Sequence, residues 1–105
     1  MLKLDEAAAG LEALGNPNRL EIYRLLVRAG TEGKPVGQIQ QATGMAASTL
    51  SHHLKHLELA GLIVRRKEGT THHCTANYPA MDGLIAFLTE ECCVEASPHP
   101  GQPHG

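Results

Sequence analysis

Apolar positions recur every three or four residues along most of the chain, which is the period of amphipathic helices. The pattern predicts five helices, and the first three end at Gly15, Gly30 and Gly44. Asn16 and Pro17 are typical of a helix start, so the second helix is expected to begin there. The expected inward positions are Leu4, Ala8, Leu11 and Leu14; Leu20, Tyr23, Leu26 and Val27; Val36, Ile39 and Ala42; Ala47, Leu50, Leu54 and Leu57; and Met81, Leu84, Ile85 and Leu88.

Between the fourth and fifth helices the pattern changes to short runs that favour strands, in LIVRRKEGTTHHCTANY. They predict a two-stranded hairpin with a charged turn at Lys67, Glu68 and Gly69. Two short helices joined by a glycine-bearing turn and followed by a basic hairpin are the parts of a winged helix-turn-helix. We therefore expect a mainly α domain with a β-hairpin over residues 1–91. The cysteine pair and a flexible Pro/Gly/His tail follow over 92–105.

Composition and charge distribution restrict the classes of function that this chain could have. The 105 residues suffice for one domain, and a second copy of the chain would add buried surface. The longest apolar stretches are too short to span a membrane, and the N-terminus has no signal peptide, so a cytoplasmic protein is expected. The net charge is −2, but Lys55, Arg65, Arg66 and Lys67 fall in the middle of the chain, whereas residues 79–105 contain no Lys or Arg. This distribution keeps nucleic acid among the expected partners.

The fourth helix and the hairpin carry the candidate DNA contacts. A recognition helix needs an apolar stripe for attachment and a polar face of short donors and cations. The same polar face would also suit an ordinary surface helix, but the basic cluster of the hairpin follows where a wing would meet the DNA backbone or minor groove. The candidates are Ser48, Thr49, Ser51, His52 and Lys55 on the helix and Arg65, Arg66 and Lys67 on the hairpin.

Two separated motifs, ALGNPNRLEIYRLL and STLSHHLKHLELAGLIVRRKEGTTHHC, resemble the ArsR/SmtB family of winged-helix repressors. They occur in the family's order and spacing, and the resemblance covers roughly residues 10–90. It implies a homodimer formed by the first and fifth helices. It also implies that the protein binds double-stranded operator DNA and leaves it when a metal, metalloid or other signal arrives.

The chain departs from this family at its known sensing sites. GKPVGQIQQAT of the third helix contains no cysteine, so the arsenite site that some members have there is absent. MDGLIAFLTEE of the last helix contains no histidine, which the zinc-type site needs. Ala46 stands where a serine or threonine usually caps the recognition helix, at an expected cost of about 1 kcal/mol.

The adjacent Cys92 and Cys93 are the remaining candidate ligand site. Three cysteines in a reducing compartment do not form a disulfide framework, and thiolates suit soft ions such as trivalent arsenic or antimony. Neighbours on a regular helix point about 100° apart, so the two sulfurs can converge only where the helix frays. Two alternatives are a cysteine packed as a small hydrophobe and a redox switch. The latter is disfavoured because nearby acids raise thiol pKa values.

A three-sulfur arsenite site would need Cys74 as well, since it is the one other cysteine. A helix of about twelve residues, ~18 Å long, separates the two positions, so the site could instead be completed across a dimer or by a small thiol. Two sulfurs alone would suit a monomethylated trivalent arsenical. Some family members resemble this chain in placing a cysteine pair near the C-terminus for trivalent arsenicals. The resemblance gives that role to Cys92 and Cys93, with Cys74 as a candidate third ligand.

The resulting hypothesis is a homodimeric repressor released by arsenite, methylarsenite or antimonite. A thiol redox switch and a divalent soft-metal sensor of the same fold remain alternatives, as does a protein-protein interaction module. An enzyme is not expected because no set of nucleophile, base and oxyanion donor is found.

Overall fold

The computed structural model describes residues 2–96 and confirms a mainly α fold with a hairpin. Residues 97–105, most of the predicted tail, lie outside the described residues. The described helices are α1 (Leu4–Leu14), α2 (Pro17–Ala29), α3 (Val36–Thr43), α4 (Ala47–Leu59) and α5 (Tyr78–Thr89), with a 3-10 turn at Gly30–Glu32. The strands are β1 (Lys34–Pro35), β2 (Ile63–Glu68) and β3 (Thr71–Ala76). No helix within 2–96 is both long and apolar enough to cross a membrane.

Local capping explains where the helices begin and end. The Asn16 side chain accepts hydrogen bonds from the backbone N–H groups of Asn18 and Arg19 at 2.9 and 3.1 Å, as predicted for the start of α2. Gly44 ends α3 in the left-handed conformation, with φ of 71°. Ala46 is the N-cap of α4 and, as alanine, offers no side-chain acceptor. In the turn between α3 and α4, the left-handed Gly44 is accompanied by a hydrogen bond from the Met45 N–H to Thr43 Oγ1 at 3.4 Å.

The sheet corrects two predictions. It is antiparallel and has three strands in the order β1-β3-β2, whereas the sequence predicts a hairpin of two strands. Gly33 permits the extra strand, because a Cβ there would collide with the Cys74 carbonyl oxygen, so only glycine allows this approach. The hairpin turn lies after Glu68 rather than across it, because Lys67 and Glu68 still pair with residues of β3.

The core is aliphatic and lies between the helices and one face of the sheet. Its largest fully buried side chains are Ile22, Leu26, Ile39, Leu50, Leu54, Leu57, Leu62 and Cys74. Several positions predicted to face inward are instead exposed, namely Leu4, Ala8, Leu11, Leu20, Ala42, Ala47, Ile85 and Leu88. In α2 Tyr23 and Leu26 are buried as predicted, but the buried face includes Ile22 rather than Leu20.

α1 buries small residues and leaves Leu4 and Leu11 exposed, whereas Leu14 packs partly buried against the core. Ala7, Gly10 and Ala13 form its buried side, and this narrow face lets α1 pack closely on Leu84 of α5. Small side chains bring helix axes together, so the larger apolar residues of α1 are left on its outer side. We call Leu4, Leu11, Ile85 and Leu88 the α1/α5 apolar residues.

Candidate nucleic-acid interface and cysteine pair

α4 is attached by one apolar side and presents a polar remainder. Leu50, Leu54 and Leu57 are fully buried in the core. All five predicted DNA contacts on this helix are exposed: Ser48, Thr49, Ser51, His52 and Lys55. The helix therefore has the division between an anchored and an accessible side that base reading in a major groove requires.

His53 lies on the buried side of α4, which the sequence pattern did not lead us to expect. Burial lowers its pKa most, and the nearby positive charge of Arg19 lowers that pKa further, followed by His52 and His56. The spacing from Leu50 to His53 is that of the buried stripe, so the helical period contained the signal. A neutral imidazole fits this environment better than a charged one.

The basic residues of the hairpin do not form one cluster. Successive residues of a strand face opposite sides, so Arg65 and Lys67 share one side of β2 and Arg66 lies on the other. The Nη2 atom of Arg66 lies 3.9 Å from Oε1 of Glu68. Both Arg66 and Lys67 are exposed.

Arg65 faces a cleft of about 540 Å³ between the hairpin and the start of α3. Its side chain is partly buried, and its Nε atom has no hydrogen-bond partner within residues 2–96. The sequence predicts three cations at one wing tip, whereas in the structure Arg66 and Lys67 are exposed on opposite sides of β2 and Arg65 is partly buried beside α3.

Glu12 forms a network that sequence reasoning missed. Its Oε1 atom lies 2.8 Å from His56 Nε2 on α4, and its Oε2 atom lies 3.4 Å from Arg19 Nη2 on α2. Arg19 also donates from Nε to the backbone carbonyl of Ala13 at 2.7 Å. The arginine of the NPNR motif therefore holds the end of α1, and that motif was the available signal.

The cysteine pair lies just beyond α5, where the chain forms successive turns. α5 ends at Thr89, whose carbonyl accepts from the Cys92 N–H at 2.9 Å, and Cys93 adopts a left-handed backbone with φ of 64°. The two Sγ atoms are 3.3 Å apart and both residues are exposed. The hydrogen bond with Cys93 raises the pKa of Cys92 most, followed by desolvation. The two sulfurs therefore lie close together just beyond the end of α5.

Cys74 is not brought together with this pair. It is fully buried on β3, where burial raises its pKa. Within residues 2–96 no three His, Cys, Asp or Glu side chains are grouped so that they could hold a metal ion. Cys74 is a candidate ligand because a three-sulfur site would need it. Such a site within one chain is therefore not formed in this conformation.

Comparisons with known proteins identify the fold's relatives. A family model described as a helix-turn-helix domain matches residues 14–66. The chain is 32% identical to the HTH-type transcriptional regulator YgaV of Escherichia coli, over 85% of this chain and 88% of YgaV. It is 38% identical to a Halobacterium salinarum protein named as a putative arsenical resistance operon repressor, ArsR2, over 57% of this chain and 50% of that protein.

A solved structure of a related protein has the same fold. The homodimeric winged helix-turn-helix DNA-binding domain Mb0332 of Mycobacterium bovis superposes with a TM-score of 0.68 and 30% identity, over 91% of this chain and 89% of that one. The chain belongs to the ArsR/SmtB family. This ArsR/SmtB protein is a winged helix-turn-helix, DNA-binding transcriptional regulator, and its homologues are regulators rather than enzymes. In that fold α4 is the recognition helix and the hairpin β2–β3 is the wing.

Proposed function

We propose that this regulator is a homodimeric repressor, and that a trivalent arsenical or antimonite binding at Cys92 and Cys93 releases it from operator DNA. The observation that carries the choice of inducer is the 3.3 Å separation of two exposed Sγ atoms. With bonds of ~2.3 Å, as in zinc thiolates, two sulfurs on one atom at an angle near ~90° lie about 3.3 Å apart. The pair is thus already spaced to hold one soft atom.

Two thiols suit a methylated trivalent arsenical. In that reaction, methylarsonous acid forms two As–S bonds and loses two As–O bonds, and each hydroxide leaves as water with a thiol proton. Arsenic stays trivalent, so no oxidant or reductant is needed. Arsenite or antimonite would keep one hydroxide or take a third thiol from solution or a second chain. Because the pKa of Cys92 is raised, fast oxidation is disfavoured, whereas ligand bonding can still displace the protons.

The homodimer is supported by exposed apolar surface and by relatives. Ile85 and Leu88 are 56% and 62% exposed on α5, and Leu4 and Leu11 are exposed on α1. The Mycobacterium bovis domain is homodimeric, and the Halobacterium salinarum relative is named as a putative repressor of an arsenical resistance operon. Burying the α1/α5 apolar residues against a second copy would remove this surface from water.

On the operator, we assign base and phosphate contacts to the exposed side of each recognition helix. Ser48, Thr49, Ser51 and His52 offer short donors, and Lys55 offers a charge for a phosphate. Arg66 and Lys67 would contact the backbone beside the wing, with Arg65 behind them. A dimer reads two half-sites about one helical turn apart, so a change in subunit spacing lowers affinity. A hundredfold loss needs a coupling free energy of about 2.7 kcal/mol, within the usual range.

The deciding experiment titrates the reduced full-length protein on the DNA upstream of its own gene. Arsenite, methylarsenite, antimonite, zinc, cadmium and peroxide are added separately while fluorescence anisotropy follows the bound fraction. We expect specific binding and release by the trivalent arsenicals or antimonite. Release by peroxide alone would indicate the redox alternative, and release by cadmium or zinc alone the divalent-metal alternative. Absence of specific DNA binding would favour a protein-protein interaction module.

A further inference from the structure

α1 is joined to the recognition helix through one carboxylate. Glu12 contacts His56 of α4 at 2.8 Å and Arg19 of α2 at 3.4 Å. A carboxylate only accepts, so His56 Nε2 is the donor in the shorter contact. Within residues 2–96 these are the contacts between a carboxylate and a basic side chain that join different helices, since the other such contacts lie inside the hairpin.

The Glu12–His56 contact lies near two functional regions, namely α5, which leads to the cysteine pair, and the exposed side of α4. α1 packs against α2, α4 and α5. Two residues before Glu12, Gly10 meets Leu84 of α5, the helix that leads to the cysteine pair. On its other side, Glu12 lines a cleft of about 320 Å³ together with His52, Lys55 and His56 of α4. The same carboxylate therefore lies beside two of the proposed DNA contacts.

We propose that Glu12 is a positioning residue for operator binding, acting through His56 to fix the orientation of α4 relative to α1. The role rests on the proposed function, because α4 has to be oriented by the dimer to meet its half-site. The Glu12 side chain is 64% exposed, whereas Arg19 is only 10% exposed, so Arg19 supplies a buried anchor and Glu12 reaches outward from it. Removal of the carboxylate leaves the core intact and frees α4 to shift.

The change in charge alone predicts stronger operator binding by Glu12→Ala, whereas the loss of positioning predicts weaker binding. Removing a negative charge near Lys55 should strengthen the attraction of this surface for phosphates. Weaker operator binding by a folded Glu12→Ala variant is thus an outcome that the change in charge cannot explain, whereas a loss of positioning does. This difference in sign separates the two physical effects.

The test is a double-mutant cycle on the full-length reduced protein, with upstream DNA as the probe. Glu12→Ala and His56→Ala are measured singly and together, with Glu21→Ala as the matched control. Glu21 is exposed on α2 and makes no ion pair within the described part of the chain. We expect each single variant to bind about fivefold more weakly and the double variant no more weakly than the worse single one, as for contacting residues. Thermal melts followed by circular dichroism check that each variant is folded.

Unchanged or tighter binding by Glu12→Ala overturns the positioning role, as does strict additivity in the cycle. If the wild-type protein shows no specific binding, the proposed function fails and takes this role with it. If the wild type binds and Glu12→Ala matches Glu21→Ala, only the positioning role fails.

Discussion

Gly10 of α1 lies directly against Leu84 of α5, so closely that a Cβ at residue 10 would be 3.2 Å from Leu84 Cδ1. The contact shows how α1 reaches the core with a side made of glycine and alanine. On the same two helices Leu4, Leu11, Ile85 and Leu88 remain exposed. α1 therefore buries its small residues Ala7, Gly10 and Ala13, while Leu4 and Leu11 lie on a different side of the helix.

The first prediction concerns the dimer. Ile85→Glu with Leu88→Glu should weaken self-association by roughly a hundredfold or more, because burying one such side chain contributes about 1.5–3 kcal/mol. Both residues are exposed in the single chain, so its fold should survive. Sedimentation velocity over a concentration series measures the effect. Leu59→Glu, at an exposed leucine of α4, is the control, and equal weakening by that variant would exclude the α1/α5 apolar residues as the interface.

The second prediction concerns the inducer. Cys92→Ser with Cys93→Ser should keep wild-type operator affinity and abolish release by methylarsenite, because both sulfurs are needed for a two-bond site. Cys74→Ser is the control and should retain release, although this core substitution is expected to lower stability. Anisotropy titrations measure affinity and release together. If the double serine variant is still released, the arsenical binds elsewhere.

The sequence predicts those parts of the fold that depend on interactions between neighbouring residues. Asn16 with Pro17, and Gly44, marked helix boundaries that depend on a few neighbouring atoms. β1 could not be found in this way, because it exists only through pairing with a strand about forty residues later in the chain. Which side of α1 is buried likewise depends on Leu84, and no periodicity of α1 alone contains that information.

The candidate site was predictable to a similar degree. The exposed donors of α4 follow from its period, and the cysteine pair is visible as two adjacent letters. The Glu12–His56 contact joins residues 44 apart, so it appears only when the helices are packed. Arg65 separates from Arg66 for the elementary reason that a strand alternates, which a charge count along the sequence overlooks.

The third prediction concerns the salt dependence of operator binding. Lys55→Ala, and separately Arg66→Ala with Lys67→Ala, should weaken binding and lower the magnitude of the slope of log K against log salt. The decrease should be about 0.9 for each phosphate that the variant no longer neutralises. Lys3→Ala, at an exposed lysine before α1, is the control for removal of a cation. Titrations at several salt concentrations give the slopes. Slopes equal to the wild-type value in both variants would show that these residues do not neutralise phosphates.

The last prediction follows from the buried imidazole of His53, whose pKa is lowered from 6.5 by burial and by Arg19, His52 and His56. Below pH 6.5 the unfolded chain takes up this proton more readily than the folded one, so protonation favours unfolding. The contribution of His53 to stability is therefore complete above pH 6.5 and is lost as the pH falls below it toward the lowered folded-state pKa. His53→Gln cannot titrate, so its free energy of unfolding should fall less steeply over that interval. Urea unfolding at several pH values measures both slopes, and His72→Gln removes an exposed histidine of β3 as the control. If the control flattens the slope as much as His53→Gln does, burial of His53 is not the cause.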